Sequence, residues 1–118
     1  MDIQGIYNSA IDYDLEYQEV VECVTDSGKS PDQIFNEVSL KIAKEYMSGQ
    51  LTYVVADEAI NNLWCCMVSH AVESGEEFAK LAYSIYIAFD CGEDEINNVR
   101  NPIENKTKPM LNEILSNA

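Results

Sequence analysis

The sequence predicts an all-α protein, a compact bundle of four to six helices forming a single domain over residues 1–118. Three observations predict it. Apolar residues recur at steps of three and four along most of the chain. Ser, Thr, Gly and Pro fall where helices start and stop. Strand signals are confined to residues 51–55, and the Ala56-Asp57-Glu58 that follows favours an early helix start instead. With 118 residues, 47% of them apolar, the chain is long enough for one core without disulfides or metal.

The first element carries Ile3, Ile6, Tyr7, Ala10, Ile11, Tyr17, Val21 and Val24 at helical steps. This spacing predicts a helix over at least residues 12–25, ended by Asp26-Ser27-Gly28. Its start is left open, because Gly5 and Asn8 weaken the first turns. The second element opens on Ser30 as N-cap, with Pro31 at the first helical position and Gln33 completing a capping box. Ile34, Phe35, Val38, Ile42 and Tyr46 then form one stripe, and Gly49 stands where a left-handed residue ends a helix.

The third element is expected from about Tyr53 to Val72, with Val55, Ala59, Ile60, Leu63, Trp64, Met67, Val68 and Ala71 on a broad apolar face. Asp57 and Glu58 lie in its first turns, where they suit the helix dipole. The fourth is expected to open on Ser74-Gly75-Glu76-Glu77, a second capping box, and to be stopped by Gly92. Phe78, Leu81, Ala82, Ile85, Ala88 and Phe89 face one way, with Tyr83, Tyr86 and Ile87 around the rest, so this helix is expected to be the central and most buried one. Residues 93–106 read as a loop. Thr107-Lys108-Pro109 opens a last short helix carrying Met110, Leu111, Ile114 and Leu115.

Charge narrows the function. There are 21 Asp and Glu against 7 Lys and Arg, a formal net charge of −14. Such a chain has no basic patch to neutralise phosphates or to hold an anionic bilayer, so neither a nucleic acid nor a membrane is the expected partner. A basic protein is. The amino terminus lacks a basic region followed by an apolar run, and the longest apolar stretch, residues 63–68, is far below the ~20 needed to span a bilayer. A cytoplasmic protein is expected, with Cys23, Cys65, Cys66 and Cys91 as reduced thiols.

Catalytic signatures are missing. No G-x-S-x-G, P-loop, H-E-x-x-H or G-x-G-x-x-G occurs. The single His, His70, shares a helical face with Cys66, but two ligands do not make a zinc site, and a hydrogen-bonded structural role is expected for it. Asp90, Glu93, Asp94 and Glu95 do not follow the spacing of an EF-hand loop. The expectation is a non-enzyme without metal or cofactor.

The acidic residues are unevenly spread. Residues 1–28 hold Asp2, Asp12, Asp14, Glu16, Glu19, Glu22 and Asp26 with no Lys or Arg, and residues 76–95 set Glu76, Glu77, Asp90, Glu93, Asp94 and Glu95 against Lys80 alone. On a continuous helix Asp12, Glu16 and Glu19 share a face and repel by roughly a few tenths of a kcal/mol per pair. One reading is a solvated face that keeps the protein soluble. The other is a surface complementary to a basic partner, which speeds association. On that reading the candidate partner-binding residues are Asp12, Asp14, Glu16, Tyr17 and Glu19, then Asp90, Glu93, Asp94 and Glu95. Tyr7, Tyr13, Tyr83 and Tyr86 lie close by, either as further anchors or, like most of the seven tyrosines, half-buried at the rim of the core.

Three segments carry a resemblance: Asp57-Glu58-Ala59-Ile60-Asn61-Asn62-Leu63-Trp64, Tyr86-Ile87-Ala88-Phe89-Asp90-Cys91-Gly92-Glu93, and Lys106-Thr107-Lys108-Pro109-Met110-Leu111-Asn112-Glu113-Ile114-Leu115. In their order along roughly the second half of the chain, they resemble the small helical immunity proteins of bacterial contact-dependent growth inhibition. The resemblance implies an immunity protein that binds the cognate toxin C-terminal domain of a sibling cell's effector, often a nuclease, and neutralises it by stoichiometric association. It transfers no binding residue. Two other readings share the acidic surface: a DNA mimic that inhibits a DNA-binding protein, and a non-catalytic adaptor subunit. Oligomeric state is left open.

Overall fold

The computed structural model describes residues 1–93 and 101–118. Its helices are α1 (Ile3–Ile11), α2 (Tyr17–Ser27), α3 (Pro31–Met47), α4 (Tyr53–Ser74), α5 (Lys80–Asp90) and α6 (Lys108–Asn117). A 3-10 turn, Cys91–Glu93, follows α5, and a π turn, Ile103–Thr107, leads into α6. The described residues contain no strand, and the all-α bundle is as the periodicity predicts.

Where helix ends are set by neighbouring residues, sequence and structure agree. Asp2 caps α1 by accepting the Gly5 N–H at 2.8 Å. Ser30 and Gln33 close the capping box of α3, with Pro31 as its first residue. Thr52 caps α4, accepting the Val55 N–H at 3.3 Å, so the β-prone run is indeed a helix start. Gly49 takes the left-handed backbone expected of it, at φ 86°, and Gly28, expected to end its helix, does so left-handed at φ 73°.

Three expectations need correction. The helix predicted across residues 12–25 is two helices. Asp12 ends α1, Tyr13 turns left-handed at φ 55°, and α2 begins only at Tyr17. The cause is tertiary. Leu15 is drawn into the core at 5% exposure, and Asn62 of α4 takes both its backbone groups. Hydrogen bonds from another helix replace the intrahelical ones.

The second capping box does not form. Helix α4 runs on through Ser74, Gly75 ends it at φ 72°, and the Ser74 hydroxyl accepts the Glu76 N–H at 3.1 Å. Helix α5 opens at Lys80, where the orphan N–H of Ala82 finds Asn36 Oδ1 of α3 at 2.9 Å.

The central helix is α3, not α5. It packs against α1, α2, α4, α5 and α6, and buries Ile34, Phe35, Val38, Ser39, Ile42, Ala43 and Tyr46. Helix α5 buries Ala82, Ile85, Ala88 and Phe89 but leaves Lys80, Tyr83, Ser84 and Asp90 exposed.

Part of the expected loop at 93–106 is the π turn; residues 94–100 lie outside the described residues. Helix α6 opens after Thr107 as expected, but the Thr107 side chain makes no cap hydrogen bond to it. Thr107 is fully buried, and its hydroxyl donates to the Ala88 carbonyl at 2.7 Å, satisfying an orphan carbonyl at the end of α5. Phe89 lies against Tyr46 at 5.4 Å and is stacked with Tyr53 at 5.9 Å between ring centroids. Burial of large apolar side chains such as these supplies the main driving force, ~1.5–3 kcal/mol for each. No helix among the described residues is long and apolar enough to cross a membrane.

Candidate partner-binding cleft

Steps of four and seven residues put Tyr53, Asp57, Asn61 and Trp64 on one face of α4. This face floors an open cleft of about 440 Å³. Tyr13, in the turn between α1 and α2, lines it on one side, and Glu93, in the turn after α5, on the other.

Asp57 is the unusual residue. It is only 9% exposed, and its Oδ1 is buried with no hydrogen-bond partner among the described residues. Burial pushes its carboxyl up to about 7, helped by the charge of Glu93, a side-chain hydrogen bond with Glu93, and the charges of Asp90 and Glu58. Near neutral pH the proton is therefore held on Asp57 far more readily than on an ordinary carboxylate. A carboxyl held half-protonated against its neighbours is costly to the fold, and such groups cluster at functional sites.

Aromatic rings surround the pair. Tyr53 donates its hydroxyl to the Phe89 carbonyl at 2.6 Å, and burial raises its phenol above the ordinary range. Trp64 stacks on Tyr86 at 4.2 Å and 10°, and meets Phe78 at 4.6 Å. Tyr13 is 59% exposed, a large side chain held out from the surface by its left-handed backbone. Gly92 lets these parts approach: a Cβ there would lie 2.5 Å from both the Tyr53 hydroxyl and Thr107 Oγ1. Close approach, rather than helix termination, is what this glycine supplies.

The acidic residues singled out in the sequence have divergent fates. Asp12 and Asp14 are exposed and flank Tyr13 along the chain, but neither lines the cleft as Tyr13 does. Glu16 is the N-cap residue of α2. Glu19 is half-buried and spent on structure: its carboxylate accepts the Glu16 N–H and the Ser9 hydroxyl, each at 3.1 Å. The common helical face expected for Asp12, Glu16 and Glu19 does not exist, because the chain is not helical from 12 to 16. Tyr17 is half-buried, and its hydroxyl lies 3.0 Å from His70 Nδ1, so it braces α2 on α4. His70 is thereby the hydrogen-bonded structural residue expected of it.

Asp90 closes α5, and Glu93 lines the cleft. Asp94 and Glu95 lie outside the described residues. Exposed carboxylates also stand elsewhere, at Asp2, Glu22, Asp26, Glu37, Glu73, Glu76, Glu77, Glu104 and Glu113. Negative charge therefore covers much of the molecule, and it is the cleft that distinguishes one region.

Asp57, Tyr53 and Trp64 were not among the predicted site residues. Read locally, Asp57 is an acid near a helix N-terminus. The signal that singles it out is its position four after Tyr53 and seven before Trp64, a carboxylate on an aromatic face. The four thiols are free: burial pushes Cys66 up to about 12, and Cys65 is exposed at the cleft. No three His, Cys, Asp or Glu among the described residues gather to hold a metal ion.

Comparison of the chain with protein-family models, with curated proteins and with solved structures finds no match.

Proposed function

We propose that this protein is an immunity-type inhibitor, which binds a basic toxin domain in one-to-one association and so neutralises it. The observation that carries the reading is the cleft: a carboxylate pair, Asp57 and Glu93, set among Tyr13, Tyr53 and Trp64 in a protein of net charge −14. Aromatic side chains at a concave, partly desolvated surface are the usual anchors of tight protein recognition. The negative field around them favours a basic partner and speeds its capture. The resemblance of the helical segments to contact-dependent growth inhibition immunity proteins supports the same reading and supplies the class of partner.

Two measurements test it. Co-expression with the basic C-terminal toxin domain encoded by the neighbouring upstream gene should restore growth that the domain alone arrests, and the two chains should co-elute one-to-one. Neutralising Asp12, Asp14, Asp90 and Glu93 together should slow association about tenfold at low salt (~0.05 M) and flatten its salt dependence. Growth that stays arrested sinks the reading; an unchanged association rate removes its electrostatic part.

A further inference from the structure

We infer that the cleft is a receptor for one guanidinium group, and that an arginine side chain of the toxin domain supplies it. The choice of an arginine on a protein rests on the proposed function; the guanidinium chemistry rests on the cleft alone.

The cleft contains an unmet demand. Asp57 Oδ1 is buried beside the cleft without a donor among the described residues, and the other charged residues that line the cleft, Glu58 and Glu93, are also acids. A buried acceptor without a donor is destabilising, and a ligand that brings donors removes that cost. The ligand must be cationic, because Asp57, Glu58 and Glu93 line the cleft and no described Lys or Arg is paired with any of them.

The shape of the cation follows from the other walls. A metal ion needs several donors at one point, and the described acids do not gather that way. Planar rings of Tyr13, Tyr53 and Trp64 border the carboxylates, which suits a flat, weakly hydrated cation that stacks as well as donates. Guanidinium presents a rigid fork that matches carboxylate geometry, whereas an ammonium is a compact, strongly hydrated point charge. Glu93 is exposed, so it can turn aside to admit the group. The cation then supplies the donors that Asp57 Oδ1 lacks, and its charge meets those of the carboxylates lining the cleft.

The chain has a single tryptophan, and it lines this cleft, so its fluorescence reports the site directly. Titration with N-acetyl-arginine amide should change Trp64 emission saturably, with Kd on the order of 1 mM. Lysine amide should bind several-fold more weakly, about fivefold, and norleucine amide should give no response. Glu93→Gln, at an exposed position, and Asp57→Asn should each weaken arginine amide about thirtyfold. In the toxin complex, replacing the docking arginine by lysine should cost about the same thirtyfold, and do so less than additively with Asp57→Asn.

The outcomes separate the two claims. A chain that neutralises the toxin yet gives no arginine response overturns the cleft receptor and leaves the immunity reading standing. A chain that takes arginine amide but rescues no toxin supports the guanidinium site, assigns it to a free guanidinium compound, and sinks the immunity reading. Should Arg100→Gln bind arginine amide more tightly than the parent, the group belongs to the chain itself, and the partner's arginine is overturned as its source.

Discussion

Asn62 holds Leu15 by both of its backbone groups: its Oδ1 accepts the Leu15 N–H at 2.8 Å, and its Nδ2 donates to the Leu15 carbonyl at 3.0 Å. One side chain of α4 thus supplies what a neighbouring strand or helical turn would otherwise give. The clamp breaks the first helix in two, sinks Leu15 into the core, and leaves Tyr13 at the edge of the cleft.

Asn62→Ala should therefore cost about 2–3 kcal/mol, since it orphans a donor and an acceptor whose only replacement is water. The melting temperature should fall by roughly 10 °C. Urea unfolding monitored by circular dichroism measures it. On the proposed function, binding at the cleft should weaken as well, because Tyr13 is no longer held there. A loss under about 0.5 kcal/mol, the level of an ordinary surface change, is the result that contradicts the clamp.

Gly92→Ala tests the close approach under the cleft. The new Cβ would sit 2.5 Å from the hydroxyls of Tyr53 and Thr107, which donate to the last carbonyls of α5 at Phe89 and Ala88. Both caps must shift, so about 2–4 kcal/mol of stability should be lost through overpacking and broken hydrogen bonds. Gly28→Ala is the control. Gly28 is left-handed but has nothing within 4 Å of an added Cβ, and should cost about 1 kcal/mol from backbone conformation alone. Equal losses at the two sites would show that crowding at Gly92 is not what matters.

Asp57 sets a pH dependence whose sign is fixed by the direction of its shift. Its carboxyl is raised from 3.8 to about 7 in the folded protein. Between those values the folded state binds the proton and the unfolded chain does not, so stability contributed here falls as pH rises from about 4 to about 7. Each unit of displacement is worth about 1.4 kcal/mol. Asp57→Asn should then be more stable than the parent at pH 8, and the advantage should shrink toward pH 5. Urea midpoints at the two pH values decide it, and a constant difference between parent and variant is the adverse result. A variant more stable but poorer at binding is the pattern expected when an acid is kept for recognition.

Much of this protein was legible in its sequence, wherever the signal lies within a few residues of what it controls. Ser30, Pro31 and Gln33 start α3, and Gly28 and Gly49 turn the chain, because caps and left-handed residues act on their immediate neighbours. The apolar periods of α3, α4 and α5 named most of the core for the same reason. The acid surplus needs no coordinates at all.

Tertiary structure decided the rest. Apolar spacing runs unbroken through residues 10–21, and only Asn62, 47 positions away from Leu15, breaks the helix there. Ser74-Gly75-Glu76-Glu77 has the composition of a capping box, yet the start of α5 is served by Asn36, 46 positions before Ala82. Asp57 looks like any acid in an early helical turn until Tyr13 and Glu93 close around its face of α4. A local pattern sets which backbone hydrogen bonds a segment can make. Which of them it does make, and whether a carboxylate keeps its water, depends on what the fold packs against it.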